Sequence, residues 1–416
     1  MALVLPFRAI RPAPQFAARV AALPYDVMTR EEGIKAAAGN PLSFLHVEKS
    51  EIDVPDGTSP DDMIIYEAAR RNFAKLKNDG ILRQDDSACY YIYRQQMGGQ
   101  IQTGIVGVMS AAEYDEGKIK KHELTRRDKE EDRTRHVDYV NAQTGPVFIS
   151  YRARPVINEI VQKVAAGEPE YDFTADDGVR HTAWMVDEGQ QIETIKSEFT
   201  RVDALYIADG HHRAAAGAAI ARKRRLNGRQ QESDMVLAVF FPHDQLKVMD
   251  YNRAVRDLRG LSPEEFKDRI SERFSVSENF VARSPERVHD FGMYLAGKWY
   301  RLTIKEGAYD ARDPVASLDA AILQDHLLAP VLGIEDPRTD ERIKFIGGIR
   351  GMNELEKLVD QDGYAVAFSL YATSMEEIMK VADAGKIMPP KSTWFEPKLR
   401  SGLFVHSLDQ EKACDK

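Results

Sequence analysis

Residues 209–213 read Asp-Gly-His-His-Arg, and their types and order suit the handling of a phosphate. An apolar run, Ala204 to Ala208, stops at Asp209-Gly210, and an Ala-rich stretch with strong helix propensity, Ala214 to Ala221, follows at once. The first amides of such a helix have no partner within it and carry the positive end of its dipole. Arg213, in the first turn, can fork onto phosphate oxygens. Asp209 can cap the helix or hold a metal ion. The small residues from Ala214 to Gly217 let the helix lie close to a sheet. The same residues also fit a routine strand-turn-helix, with Asp209 as N-cap and two surface histidines.

Three further segments carry groups of chemical interest. In His122 through His136, a helix would place Arg126, Lys129, Arg133 and His136 on one face, able to neutralise a polyphosphate. The interspersed Asp128, Glu130, Glu131 and Asp132 equally suit a solvated helix laced with ion pairs. In Leu23-Pro24-Tyr25-Asp26-Val27, Asp26 sits in a turn before a helix start at Thr29 to Glu32, where it can act as a general base or serve only as a turn or cap. In Met388 through Leu403, three prolines fix an irregular path, two aromatics anchor it, and Lys391, Lys398 and Arg400 could meet an anion. A rigid surface loop before a final strand, Leu403 to Leu408, is the competing reading.

These segments need elements to hold them. Val4-Leu5 and Ser43 to Val47 read as strands. Asp61 to Leu76 reads as a helix with Ile64, Ala68, Phe73 and Leu76 on one face and Gly80 as its stop. Cys89 to Arg94 and Thr103 to Val108 form a ribbon joined through Gly98-Gly99. Strands are expected at Gly145 to Tyr151, Gly178 to Val186 and Met235 to Phe241, and helices at Val156 to Ala165 and Glu188 to Phe199. At Leu261 to Phe266, Ser262 as N-cap, Pro263 at the first position and Glu265 make a helix entry. The expected fold class is mixed α/β.

Composition sets bounds on these readings. The chain has 416 residues, 43% hydrophobic and 30% charged, enough for more than one domain with a substantial core. A net charge of −9 argues against a bulk electrostatic grip on DNA. Its two cysteines, Cys89 and Cys414, build neither a disulfide framework nor a CxxC zinc pattern, which suggests a reducing compartment. The opening apolar run is too short for a signal peptide, and no stretch approaches the roughly 18 apolar residues of a membrane helix. A cytoplasmic location without membrane contact is expected. Phosphate-loop, GxGxxG, GxSxG and HExxH patterns are absent.

Taken in order, Leu23 to Val27, Asn40 to His46, His122 to His136, Asp209 to Arg213 and Met388 to Leu403 resemble a large bacterial and archaeal family catalogued as a domain of unknown function, near the ParB/sulfiredoxin-like superfamily. Gly210 to Arg213 is similar to the Gly-x-x-Arg phosphate-binding segment of ParB-type domains. Free-serine kinases are similar in this strand-turn-helix element. The resemblance implies a ParB-like core over residues 1–255, with residues 50 to 200 largely insertion, and a C-terminal α/β domain over 256–416.

It also implies transfer of a phosphoryl group to the hydroxyl of free L-serine from ATP, ADP or pyrophosphate. Arg213, Gly210, His212 and the helix amides would hold the phosphoryl group, and Arg126, Lys129 and Arg133 the donor's outer phosphates. Asp209 would act with Mg²⁺, Asp26 as base, and His211 beside the phosphate or the substrate carboxylate. Tyr25, Glu123, His136, Lys391 and Ser392 would line the substrate. Asp26 departs from the Glu of the kinases. The alternative is a ParB-like nucleotide-binding regulatory or DNA-associated protein without turnover. The acidic charge and the lack of a recognisable helix-turn-helix favour the kinase and make nucleic acid an unexpected partner.

Overall fold

A computed structural model describes residues 2–225 and 231–409. It is mixed α/β, as the patterning predicts. The chain divides into two compact units. The first holds residues up to Leu246 and those from Pro397 onward; the second runs from Lys247 to Glu396. From sequence, one boundary is expected near residue 255, with the whole tail in the second part. The tail returns because Val405–Ser407 is a strand of the first unit, antiparallel to both Ala9–Pro12 and Ala142–Gln143.

The first unit is built on a nine-stranded sheet. Its order is Ile119–Lys120, Leu205–Asp209, Val147–Tyr151, Met235–Pro242, Gln100–Ser110, Tyr90–Met97, Arg180–Val186 and Tyr171–Thr174, with Val4–Leu5 also on Gln100–Ser110. The expected ribbon is present, turning at Gly98 with φ 57°. Two pairings are parallel: Leu205–Asp209 on Ile119–Lys120, and Val147–Tyr151 on Met235–Pro242. Ile92, Ile105, Ile149, Phe199, Ile207 and Phe240 share its core. A second cluster, including Phe44, Leu45, Phe73, Leu76 and Val405, joins the N-terminal helices to the small sheet of the tail strand.

The helix His211–Arg224 lies close on the main sheet. Ala214, Ala215, Ala216 and Ala218 are buried, and a Cβ at Gly217 would come 2.7 Å from Val236 Cγ2. The small residues are therefore a packing requirement of this helix. Helix Met63–Asn78 is capped by Asp62 and buries Ile65, Ala68, Phe73 and Leu76; Ile64, expected on the inner face, is exposed. Ser43 to Val47 is not a strand: Leu45–Glu48 is a short helix, and Phe44, Leu45 and Val47 all reach the core. A β-like apolar run has here been satisfied by one helical turn.

The second unit carries a six-stranded antiparallel sheet ordered Phe274–Glu278, Lys298–Ile304, Asp290–Leu295, Val366–Leu370, Tyr251–Val255, Ile343–Gly347. Phe266, Phe274, Met293, Leu323 and Phe368 fill its core. The entry at Ser262 forms as expected, with Ser262 and Glu265 closing a capping box on Pro263–Ile270. Among the described residues, no helix is long and apolar enough to cross a membrane. Cys89 is a buried free thiol; Cys414 lies outside the described residues.

The tail depends on Gly402. Its φ is +83°, and a Cβ there would press into the Phe44 ring. Left-handed backbone costs a residue with a side chain about 1–2 kcal/mol, and overpacking costs about 1–3 kcal/mol. Gly402→Ala is expected to destabilise the protein by about 2–5 kcal/mol, read as a fall in the urea midpoint with the slope unchanged.

Candidate functional site

Gly210 makes the turn that the sequence suggested. It is left-handed, φ 86°, and serves as N-cap of the helix His211–Arg224. No side chain caps this helix, so Asp209 does not have the capping role open to it in sequence. Asp209 is instead the last residue of its strand, where the pairing with Val147–Tyr151 shifts register between Ile207 and Asp209. A bulge of this kind re-aims the side chain that follows it.

The Asp209 carboxylate lies 3.4 Å from Lys398 Nζ. Burial alone would raise its pKa, but Lys398, Arg213 and His211 together hold it far below the usual carboxylate range. Lys398 belongs to a strap stitched to the rest of the first unit at Lys398, Arg400, Ser401 and Gly402. Its carbonyl accepts from Gln95 Nε2 at 2.8 Å. Arg400 donates to Asp177 and to His181 Nε2. Ser401 exchanges both backbone hydrogen bonds with Ala22, and Gly402 N–H donates to the Thr144 carbonyl. Arg400, read in sequence as a candidate for an anion, is thus buried and committed to the fold.

Arg213 is half-buried rather than on the surface, although it stands in the first turn. One guanidinium nitrogen donates to the Pro146 carbonyl, and Nε is buried with no partner. Burial opposes its charge, but Asp26, Asp209 and Glu48 outweigh that and raise its pKa above the ordinary arginine value. Arg213 shares a small cavity with Glu48, Arg133, His136, Thr144 and Gly145. A Cβ at Gly145 would meet Ser401 Oγ at 2.7 Å, so glycine is what lets the strap pass here.

The polar segment does form a helix, Arg127–Val140, but the face expected to be uniformly basic is divided. Arg133 and His136 are buried. Arg133 lies 3.9 Å from the Tyr25 ring centre, pairs with Asp132 at 2.8 Å and donates to the Glu48 carbonyl. His136 Nε2 meets the Val47 carbonyl at 2.9 Å, and burial followed by Arg133 lowers its pKa. Lys129 is exposed. Arg126 precedes the helix, is exposed, and pairs with Asp128. Hydrophobic burial of the Tyr25–Arg133 stack has turned one end of the stripe inward. The Arg126 N–H donates to His212 Nε2 at 3.0 Å, tying this segment to the turn.

Asp26 is exposed on the short helical turn Tyr25–Val27. The helix that follows, Arg30–Ala37, is capped by Thr29 in a capping box with Glu32. Asp26 therefore has no part in that cap. Tyr25 is buried, and burial raises its pKa above the ordinary phenol value. Lys391 and Ser392 belong to the second unit: the Lys391 carbonyl accepts from Arg253, and Ser392 Oγ donates to the Pro389 carbonyl at 2.7 Å.

Three histidine and acidic groups gather beside the turn. His122 and His211 stack edge to face with ring centres 4.6 Å apart, and ligand atoms of His122, Glu123 and His211 lie within 4.8 Å of one another. Burial lowers the His122 imidazole to about 4, with Asp209 and a hydrogen bond to the Ile207 backbone opposing the shift. Burial, then His122, pushes His211 well below its ordinary value.

Two groups were missed in sequence. Glu48 is 2% exposed and accepts from Thr144 Oγ1 at 2.6 Å. Its signal was a carboxylate closing the apolar run Phe44 to Val47. His122 lay in the segment singled out but was given no role; its clue was that it stands beside Glu123.

A family model described as "Protein of unknown function (DUF1015)" matches residues 4–321. The chain belongs to this family. The matched range includes Tyr25 through Arg213 and stops short of Lys398. No curated protein matches the chain. Among solved structures, the chain is similar to a free serine kinase in complex with AMP, with 17% identity, 69% of this chain and 88% of that one covered, and a TM-score of 0.34. A conserved hypothetical protein from Pyrococcus furiosus aligns at 15% identity over 69% and 91%, TM-score 0.34. SbnI with a C-terminal truncation, from Staphylococcus aureus, aligns at 11% over 74% and 90%, TM-score 0.40.

His181, which receives Arg400, gives a test of the strap. Tyr93 Oη lies 2.6 Å from its Nδ1, and burial followed by Arg400 lowers its pKa to about 3. Its folded value is below the unfolded value of about 6.5, so the unfolded chain binds more protons between the two. Stability is then fully present above about pH 6.5 and is lost as pH falls toward 3, with a slope of up to about 1.4 kcal/mol per pH unit from this group. His181→Gln is expected to flatten that slope in urea unfolding measured across the window.

Proposed function

We propose that this chain is a phosphotransferase that converts the hydroxyl of free L-serine to O-phosphoserine in the cytoplasm, with a nucleotide or pyrophosphate as donor. The observation that carries this reading is Arg213. It stands in the first turn of a helix with open amides, keeps a buried Nε without a partner, and faces the charges of Asp26 and Asp209. Gly210 to Arg213 is the counterpart of the Gly-x-x-Arg segment of ParB-type domains, and the choice of acceptor follows the resemblance to free-serine kinases.

Phosphoryl transfer asks a protein mainly for position and charge. The amides at the start of His211–Arg224 and the Arg213 guanidinium receive the phosphoryl oxygens. Lys398 adds a cation on the far side of Asp209. Asp26, exposed and free of the following cap, accepts the serine hydroxyl proton. Asp209 is only partly covered, with one oxygen directed at Lys398. That fits Mg²⁺, which commonly takes one or two carboxylates and completes its shell with phosphate oxygens and water. Bound there, the ion would supply neutralisation of donor charge.

The direct test incubates the protein with L-serine, Mg²⁺ and ATP, ADP or pyrophosphate in turn and detects O-phosphoserine. Product from at least one donor is expected; no product with any of them rejects the reading. Asp26→Asn is expected to lower kcat by about two orders of magnitude or more with donor affinity little changed. Thr29 provides the cap, so any change in thermal stability comes from the lost charge beside Arg213 and not from the helix start. Full turnover would remove Asp26 as the base.

Arg213→Ala removes charge-assisted contacts worth about 1.5–3 kcal/mol each. Donor affinity is expected to fall by roughly tenfold to 100-fold. Because Arg213 is half-buried, the comparison uses fraction folded from circular dichroism, and unchanged affinity per folded molecule rejects its role.

A further inference from the structure

We propose that His122, Glu123 and His211 form a binding site for a divalent transition-metal ion of the zinc class, distinct from any Mg²⁺ that accompanies a phosphate donor. The site stands on its own donor atoms and holds whether or not serine is the acceptor.

Two imidazoles and a carboxylate are a donor set that suits Zn²⁺, Fe²⁺, Co²⁺ or Mn²⁺; Mg²⁺ selects oxygen and is poorly served by it. The three candidate ligand atoms lie within 4.8 Å of one another. Ligands about 2.0–2.2 Å from a zinc ion stand roughly 3.3–3.6 Å apart in a tetrahedron, so binding needs at most about 1.5 Å of closure. Glu123 is half-buried and has the longest, most adaptable side chain of the three.

A second observation points to a ligand independently of the clustering. His211 is 5% exposed, and its Nε2 is buried with no hydrogen-bond partner. An orphaned buried nitrogen costs about 1–3 kcal/mol when nothing compensates it. Simple packing of two rings edge to face does not meet that cost, whereas a metal–nitrogen bond does. His122 is already oriented by its hydrogen bond with the Ile207 backbone. Metal-bound histidines are commonly held in this way through the other ring nitrogen.

The local field contains opposing charges. Lys121 and the positive end of the helix His211–Arg224 work against a cation, and Glu123 and Asp209 work for it. The ligand set supplies three protein donors, leaving at least one coordination position open. A water or an anionic oxygen would complete such a shell.

The test uses full-length protein stripped with chelator and titrated with Zn²⁺ and, separately, Co²⁺. Calorimetry reads the stoichiometry, and the visible absorption of bound Co²⁺ reports imidazole ligation. One ion per chain is expected, retained against a large excess of Mg²⁺. His122→Gln, Glu123→Gln and His211→Gln are each expected to weaken binding by at least the roughly 10–100-fold that loss of an outer-shell partner costs. A metal-dependent rise in Tm should be present in the wild type and reduced in each variant.

Absence of stoichiometric binding, displacement by Mg²⁺, or wild-type affinity in folded variants would overturn the proposal. If a buried histidine variant fails to fold, Glu123→Gln decides alone, since that side chain is only half-buried. None of these readouts uses turnover. A metal that binds in a protein making no O-phosphoserine therefore separates failure of the kinase reading from failure of this one.

Discussion

At Gly210 the backbone turns left-handed between a strand that must pair on both sides and a helix that must lie flat on the sheet. Asp209, Arg213 and His211 take their places from that constraint. The bulge after Ile207 swings Asp209 away from the strand's regular pattern. The helix then starts one residue later with no side-chain cap, so its first amides are not consumed locally. Close approach at Gly217 fixes the helix axis, and with it the places of His211 and Arg213. A larger residue at Gly210 would strain the backbone and disturb each of these together.

The second theme is how the unit tolerates charge away from water. Asp209, Arg213, Arg133 and Glu48 are each covered to a degree that isolated ions do not bear. Compensation is mutual. Lys398 answers Asp209, Asp132 and the Tyr25 ring answer Arg133, and Thr144 donates to Glu48. Such a network is stable only while complete, because removing one member leaves another buried and unpaired. It also leaves two nitrogens unanswered, Arg213 Nε and His211 Nε2, both from the first turn of the same helix.

Much of this was legible in the residues. The strand-turn-helix at Asp209 to Arg213, the glycine ribbon at Gly98-Gly99 and the Ser262 capping box are local. Each depends on a few neighbours in the chain, so sequence suffices. Failures came where long-range packing decides. Ser43 to Val47 has the composition of a strand, but three of its side chains are claimed by a core that only a helical turn can reach. The Arg126 to His136 stripe has helical spacing, and spacing cannot say that Tyr25, a hundred residues earlier in the chain, will draw Arg133 inward. Arg400 looked like a free cation because Asp177 and His181 are distant in sequence. The placement of Lys398 against Asp209 depends on tertiary contacts of the strap that no short-range pattern encodes.

That strap has a consequence for how the protein is made. Residues 247–396 form a compact unit of their own, inserted between two parts of the first. During synthesis the ribosome must complete this insert before Lys398 and the strand Val405–Ser407 emerge. Until then, Asp209 lacks its cation, the strand Ala9–Pro12 lacks one neighbour, and the loop at Ala22 lacks Ser401. The nascent first unit therefore waits with an open sheet edge and an unpaired carboxylate through about 150 residues of elongation, tens of seconds or less at cellular rates. Closure is a late, long-range event of high contact order, which sets it apart from the local folding of the insert. The interval exposes an edge on which chaperones, or aggregation, can act before the site exists.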